Sequence, residues 1–324
     1  MWTPPLEDDD FLIPQLDGNV SFLSDSDTNS ESSFWFGKIP VIVNTKFVNT
    51  TTSEPTWFEP YVPRDRTLPV SRKTIYRNNK AASSLGLPIV CVSNLRSLWP
   101  KLNHFKNDIL ERGVSLSLLS EVWEKKGKKK HKYEIEKMLQ LEGLKYISTS
   151  RPSSKRGGGC AVVAYLPHFS LEKIDVPIPN SVEVVYGLLR AKNPSAKYKV
   201  IISVAFYSPP KSRKKSQLLD HIISTCHVLL TKHPNAALFI GGDRNELSIS
   251  PILMSIPKLR QIISHNTCNG KVLDVLMTNV PELFGVPEII PPVQPDNPNY
   301  GCPSDHNPII ATPLGNTTSP QNSN

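Results

Sequence analysis

The sequence has no apolar run of 18 residues, so nothing in it predicts a membrane span. It begins MWTPPLEDDD, with acid where a secretory signal needs base, which argues against secretion. There are only five cysteines among 324 residues, Cys91, Cys160, Cys226, Cys268 and Cys302. They are odd in number, far apart and without a C-x-x-C pair, which argues against a disulfide framework and against a zinc site. Reduced thiols in an intracellular protein are the expectation. Hydrophobic residues make up only 39% while prolines number 30, so part of the chain is expected to lie outside any packed core. No internal repeat is evident.

Charge is what the chain has in surplus, and it divides the sequence. The net charge is +8. Residues 1–87 hold 8 Lys/Arg and 11 Asp/Glu, which leaves 29 basic and 18 acidic residues in 88–324. The basic character therefore belongs to the second part. Residues 1–87 are rich in Ser, Thr, Asn, Asp and Pro, with short apolar clusters at Phe34-Trp35-Phe36 and Val41-Ile42-Val43. They read as a largely disordered acidic and polar leader. Residues 315–324 read as a polar tail.

From residue 88 the texture changes to short β-branched runs alternating with helical stretches. Strands are predicted at 88–92, 115–119, 160–165, 182–191, 199–206 and 237–240, the last stopping at Gly241-Gly242-Asp243. Helices are predicted at 98–113, 132–141 and 216–232. Strands with helices between them predict a layered α/β domain over 88–314.

Polar residues recur just after the apolar strands. Asn94 follows IVCVS, Glu121 follows SLSLLS, Tyr207 follows VIISVAF, and Asp243 and Asn245 follow ALFIGG. Asp274 follows KVL, and Asp305-His306 precedes NPIIA. Ligands of α/β sheets bind outside strand ends, where loops bring distant side chains together. Hydrolysing a phosphodiester needs a hard cation, a group that orients water, and donors for the charge that builds in the transition state. Glu121 and Asp305 suit the cation, Asp243 the water, and Asn245, Tyr207 and His306 the donors. Asp274 can fix the His306 tautomer or hold it protonated. Singly, each of these residues reads more simply as a turn former or cap. Their joint order carries the expectation.

That order resembles the endonuclease/exonuclease/phosphatase superfamily over residues 88–314. The matching pieces are VSNLRSL, LLSEVW, FYSPP, GGDRNEL, VLDVLMTN and PSDHNPII. Within it, N-L-R-S-L, Y-S-P-P and L-D-V-L-M-T-N look most like the endonuclease domain of non-LTR (LINE-type) retrotransposons. The resemblance implies an α/β (α+β) four-layer sandwich, two facing mixed β-sheets flanked by helices. It implies a DNA endonuclease that nicks one strand and leaves a 3′-hydroxyl to prime reverse transcription. The cofactor it implies is Mg2+, which Mn2+ can replace, with no small organic cofactor. Glu121 becomes the principal metal ligand, with Asn94 and Asp305 beside it. Asp243 aligns the water, Asn245 supports the pentacovalent state, Tyr207 contacts the phosphate or leaving oxygen, and His306 with Asp274 bonds the scissile phosphate. The family usually has an aromatic or aliphatic residue where Arg244 stands, and Arg96 occupies a position acidic in some relatives. The chain ends 18 residues after His306, which reads as an isolated or truncated endonuclease without its reverse transcriptase.

The basic balance favours a polyanion, DNA, as partner. Lys125, Lys126, Lys128, Lys129 and Lys130 follow Glu121, and Lys211, Arg213, Lys214 and Lys215 follow Tyr207. Lys155 and Arg156 precede the glycine run, and Arg244 sits inside GDxN. All are expected to contact phosphates. The two clusters also resemble nuclear-import signals, so a nuclear location is the expectation. Two other functions compete. One is a phosphatase of the same fold, whose W-x-G-D-x-N-Y/F and P-x-W-C-D-R signatures are not found here. The other is a decayed or domesticated element that binds DNA without cutting it, a reading motivated by Arg244 and the truncation.

Overall fold

The computed structural model describes residues 85–124, 129–151 and 157–314, together with the backbone of two strands near the start. Those two, β1 (Ser32–Phe36) and β2 (Ile39–Val43), pair antiparallel and belong to a separate unit, Met1–Arg64. They coincide with the two apolar clusters of the predicted leader. The rest of that leader up to residue 84, and the tail at 315–324, lie outside the described residues.

The larger unit contains two six-stranded mixed sheets. One has the order β11-β12-β10-β9-β8-β7, built from Arg260–Gln261, Asp274–Thr278, Ala237–Asp243, Val200–Tyr207, Glu183–Ala191 and Phe169–Lys173. The other has the order β13-β14-β3-β4-β6-β5, built from Glu288–Ile289, Ile309–Ala311, Val90–Asn94, Leu116–Ser120, Cys160–Tyr165 and Leu144–Thr149. Among the described residues, four helices accompany them, α1 (Leu102–Glu111), α2 (Lys129–Leu141), α3 (Lys215–Lys232) and α4 (Ser250–Ser255).

The layering follows from side-chain alternation. In β3 and β4, Val90, Val92, Leu116 and Leu118 point between the sheets, against Val185, Leu189, Ile201, Ala205 and Phe239 of the other. The opposite parity feeds two outer cores. Cys91, Leu119, Ala161 and Val163 meet Phe105 and Ile109 of α1 and Ile135 and Leu139 of α2. Ile202, Val204, Phe206, Leu238 and Ile240 meet Ile222 and Cys226 of α3 and Ile252 of α4. Both faces of each sheet are covered, so strands that need cover on both sides read as near-continuous apolar runs. The result is the expected four-layer sandwich of two facing mixed sheets flanked by helices. It reaches back to Leu85 and Leu87, which pack into the inter-sheet core. All five cysteines are free thiols. Among the described residues, no helix is long and apolar enough to cross a membrane.

Two sequence expectations are corrected here. The strand at 237–240 does not stop at the glycines. It runs through Gly241 and Gly242 to Asp243, paired with β9 on one side and β12 on the other. A glycine carries no side chain and can take φ +146°, which Gly242 does. The predicted helix 98–113 begins instead as a 3-10 turn at Trp99–Lys101, with Pro100 in its first turn, before α1 starts at Leu102.

Candidate active site

Three of the singled-out residues are the last residues of strands rather than the first residues of loops. Asn94 ends β3, Tyr207 ends β9 and Asp243 ends β10. Each shares the parity of the inter-sheet core, so each points into the mouth of the sandwich. Register makes the arrangement definite. Asp274 pairs with Asp243, and Asp243 pairs with Tyr207, which places three of these residues in one row across the sheet edge. The facing sheet ends its own row at Asn94 and Ser120, and Glu121 follows directly. His306 arrives just before β14.

Hydrogen bonds join the two rows. The Asn94 Nδ2 donates to Asp243 Oδ2 at 3.0 Å and to Glu121 Oε1 at 3.3 Å. The other Glu121 oxygen accepts from Trp123 Nε1 at 3.0 Å. Asn245 donates to Asp243 twice, through its backbone N–H to Oδ1 and its Nδ2 to Oδ2, both at 2.8 Å. His306 Nδ1 lies 2.6 Å from Asp274 Oδ2, and both side chains are buried. That contact leaves Nε2 as the face His306 offers to the mouth. Ser304 holds the last loop in place by donating to the Asn94 carbonyl and accepting from His306 N. Thr267 Oγ1 accepts from the N–H groups of Leu273 and Asp274, each at 3.1 Å.

Several backbones here are held in the left-handed region that side chains disfavour. Arg96 (φ +44°), Ser97 (φ +83°), Glu121 (φ +52°), Trp123 (φ +56°) and Asn245 (φ +46°) all border the mouth. Such strain persists only where the surroundings fix it. Part of what fixes it is a lysine the sequence reading missed. Lys101 is fully buried, and its Nζ donates to the carbonyls of Leu95 and Arg96 at 2.8 Å and of Ser97 at 3.3 Å. Burial lowers its pKa to about 8.

The electrostatics are those of crowded carboxylates. Burial, and then the neighbouring Asp274, push the Asp243 carboxyl up to about 7. Burial opposes the charge on His306, but the Asp274 carboxylate outweighs it and raises the imidazole to about 9. The Tyr207 phenol is raised by burial and then by the neighbouring Glu121 carboxylate. Donor atoms of Asp243, Asp274 and His306 lie within 4.8 Å of one another. The buried Asp274 Oδ1 has no hydrogen-bond partner. Oxygen donors, surplus negative charge and an orphaned carboxylate oxygen fit a hard divalent cation.

No protein-family profile matches the sequence, and no curated protein matches it by sequence. Solved structures do match. An endonuclease/exonuclease/phosphatase from Bacteroides vulgatus superposes with TM-score 0.53 at 12% identity, covering 70% of this chain and 98% of that one. The fold is that of the endonuclease/exonuclease/phosphatase proteins. The 3′ phosphatase NExo from Neisseria, bound to a product DNA hairpin, matches with TM-score 0.51 at 13% identity, covering 70% and 99%. The endonuclease domain of TRAS1, a telomere-specific non-LTR retrotransposon, matches with TM-score 0.49 at 14% identity, covering 70% and 98%.

Within this endonuclease/exonuclease/phosphatase fold the sequence-predicted residues separate into groups. Asn94, Glu121, Tyr207, Asp243, Asn245, Asp274 and His306 come together at the mouth. Asp305 is exposed, next to them. Arg244 departs from the expectation that it faces phosphate. Its guanidinium donates to the carbonyls of Leu247 at 3.1 Å and Val272 at 2.9 Å, so it staples two loops. The charge beside Asp243 is thereby committed to backbone. Lys211, Arg213 and Lys214 are exposed, whereas Lys215 pairs with Glu246 at 3.1 Å. Lys129 and Lys130 open α2, while Lys125, Lys126, Lys128, Lys155 and Arg156 lie outside the described residues. Besides Lys101, the sequence reading missed Trp123, Arg151, Glu183, Thr267 and Ser304. Glu183 had a signal, being a lone carboxylate at the core-facing parity of a strand that carries Val185 and Leu189 there.

Proposed function

We propose that the chain is a Mg2+-dependent phosphodiester hydrolase that nicks one DNA strand and leaves a 3′-hydroxyl, as in target-primed reverse transcription of a non-LTR retrotransposon. The observation that carries this reading is the convergence of Asn94, Glu121, Tyr207, Asp243, Asn245, Asp274 and His306 at one sandwich mouth. Phosphodiester cleavage draws on all of these residue types, whereas DNA binding alone needs none of them. Glu121, with Asn94 and Asp305 beside it, would hold the cation, which when bound supplies charge neutralisation at the phosphate and leaving oxygen.

The remaining roles belong to the chain itself. Asp243, fixed by Asn94 and Asn245, orients the attacking water and accepts its proton, and a carboxyl near 7 suits that task. His306, held protonated by Asp274, presents a charged donor to a non-bridging oxygen as negative charge builds there. Tyr207, the register neighbour of Asp243, and Asn245, bonded to it, supply the further donors. Water adds to phosphorus as the P–O3′ bond breaks, and the leaving oxygen takes up a proton from solvent, giving a 5′-phosphate and the 3′-hydroxyl. The exposed Lys211, Arg213 and Lys214 would engage backbone phosphates without reading sequence. The binding-only reading rested on Arg244 and on the truncation, and the Arg244 side chain is occupied with backbone.

Supercoiled plasmid incubated with Mg2+ or with chelator, beside Glu121→Ala and His306→Ala, tests the reading. Mg2+-dependent open circles lost in both variants are expected. Intact plasmid with tight, salt-sensitive binding would establish the binding protein instead. Phosphate release from inositol phosphates without nicking would establish the phosphatase.

A further inference from the structure

The row Asp274, Asp243, Tyr207 continues one strand further. Glu183, the first residue of β8, pairs with Tyr207. It is buried, on the core-facing parity, and the chemistry above gives it no task. Both of its oxygens are engaged. Oε1 accepts from Arg151 Nε at 2.8 Å, and Oε2 from the Gly159 N–H at 2.5 Å. Arg151 comes from the opposite sheet, two residues beyond β5, so the ion pair bridges the sheets across the mouth. Its guanidinium carbon stands 5.7 Å from the Tyr207 ring centroid, a cation–π distance.

The glycine run joins the same assembly. Gly157, Gly158 and Gly159 have φ of +89°, +75° and +82°. A Cβ on Gly158 would overlap the Glu183 carboxylate and the Arg151 guanidinium, and one on Gly157 would lie 3.4 Å from Trp123 Nε1. The run threads between the ion pair and Trp123, accepting from Trp123 N at the Gly158 carbonyl (2.8 Å) and from Val122 N at the Gly159 carbonyl (3.3 Å). Trp123 is one of the two side-chain donors on the Glu121 carboxylate, which also lies beside Tyr207, so both neighbours of that carboxylate are set by this frame. A buried ion pair does not by itself stabilise a fold more than apolar side chains of the same volume would. Its place beside Tyr207 asks for another explanation.

We propose that Arg151 and Glu183 are a positioning pair. Glu183 fixes the Arg151 guanidinium over Tyr207, and Tyr207 together with the glycine run aims the Glu121 carboxylate at its cation. This rests on the reading of Glu121 as a metal-holding residue. Hydrogen-bonding partners one layer behind metal ligands typically change metal affinity 10- to 100-fold.

The test uses the full chain carrying Arg151→Met, Arg151→Lys or Glu183→Gln. Mn2+ affinity is read by electron paramagnetic resonance on the free protein, next to the Mg2+ concentration for half-maximal nicking, the KM for plasmid and the melting temperature. Arg151→Met should weaken Mn2+ binding about tenfold and raise the Mg2+ requirement in step, with KM for plasmid within about twofold. Arg151→Lys, which keeps a cation above the ring, should recover most of the loss, and Glu183→Gln should fall between. If Arg151→Met does not fold, the other two variants carry the same readouts. Unchanged Mn2+ affinity with a raised plasmid KM would overturn the proposal and make Arg151 a substrate contact. Losses that follow melting temperature alone, with no rescue by lysine, would reduce the pair to structure. A wild-type chain that binds Mn2+ in an Arg151-dependent way yet nicks nothing would sink the nuclease and leave the positioning pair standing. A wild-type chain that binds no Mn2+ would sink both.

Discussion

Gly242 of β10 lies beside Phe206 of β9, and replacing it with alanine probes the geometry of the mouth directly. Its φ of +146° lies outside the range open to L side chains, and an added Cβ would overlap the backbone carbonyl of Phe206, its partner in the parallel ladder. Backbone cannot rotate aside as a side chain can, so one strand must shift. The conformational strain is worth about 1–2 kcal/mol, and forcing apart two packed strands another 1–3 kcal/mol or so. For a domain of this size each kcal/mol moves the melting temperature by about 2–4 °C, so Gly242→Ala should melt roughly 10 °C low. Gly270→Ala is the control. Its φ of +73° carries the conformational part alone, because nothing lies within 4 Å of the added Cβ. It should melt only about 2–8 °C low. The shift in Gly242→Ala also separates Asp243 from Tyr207, its neighbour in register. A displacement of about 1 Å lowers rates on the order of 100-fold. Circular dichroism melts and Mg2+-dependent nicking read both effects. If Gly242→Ala melts within 2 °C or so of Gly270→Ala and nicks at the wild-type rate, close backbone approach does not set the site.

Three further outcomes follow from charge. His306, raised to about 9, and Asp243, raised to about 7, both hold protons in the folded chain that the unfolded chain releases at lower pH. Without metal, the Asp243 part of that stabilisation is lost as pH rises from about 4 to about 7, and the His306 part as it rises from about 6.5 to about 9. His306 alone accounts for at most about 3 kcal/mol of it. Urea titrations in chelator at pH 6, 7.5 and 9 should show falling stability, and a rise would contradict the assigned shifts. Arg244→Met should cost about 1–3 kcal/mol by stranding the carbonyls of Leu247 and Val272, while the salt dependence of DNA binding stays as in wild type. Neutralising Lys211, Arg213 and Lys214 should instead flatten that dependence, by about 0.9 for each phosphate no longer neutralised, in anisotropy titrations across salt. A flatter slope for Arg244→Met would return that side chain to the DNA.

The strands that cross the core on both faces were legible because burial on both sides leaves near-continuous apolar runs, as in ALFIGG and VIISVAF. The strands that were missed lack that signal. Phe169–Lys173 is an edge strand carrying exposed Glu172 and Lys173, Arg260–Gln261 has no buried residue, and Ile309–Ala311 is only three residues long. Asp274–Thr278 was recognised as a motif and not as a strand, although both descriptions hold. Asn94, Glu121, Asp243 and His306 were found because few other arrangements explain their order. Lys101, Arg151 and Glu183 were not, because each acts through partners distant in sequence. The partners of Lys101 are carbonyls, which every residue has and no sequence marks.

Arg244 shows most clearly where sequence reasoning stops. Its position inside GDxN made it look like either a phosphate contact or damage to the motif. Both ideas assumed that a charge next in sequence to Asp243 is next to it in space. A strand alternates faces, so the residue after an inward Asp243 starts outward, and the backbone N–H of Arg244 already donates to Leu273 O at 2.9 Å. From there the guanidinium reaches the carbonyls of Leu247 and Val272. The cation nearest Asp243 in sequence therefore holds the loop that delivers Asp274. The cation that faces Tyr207 is Arg151, from the other sheet, 92 residues before Asp243 in sequence. In a sandwich whose chemistry sits at the mouth, strand parity and register decide which charges meet, and closeness along the chain does not.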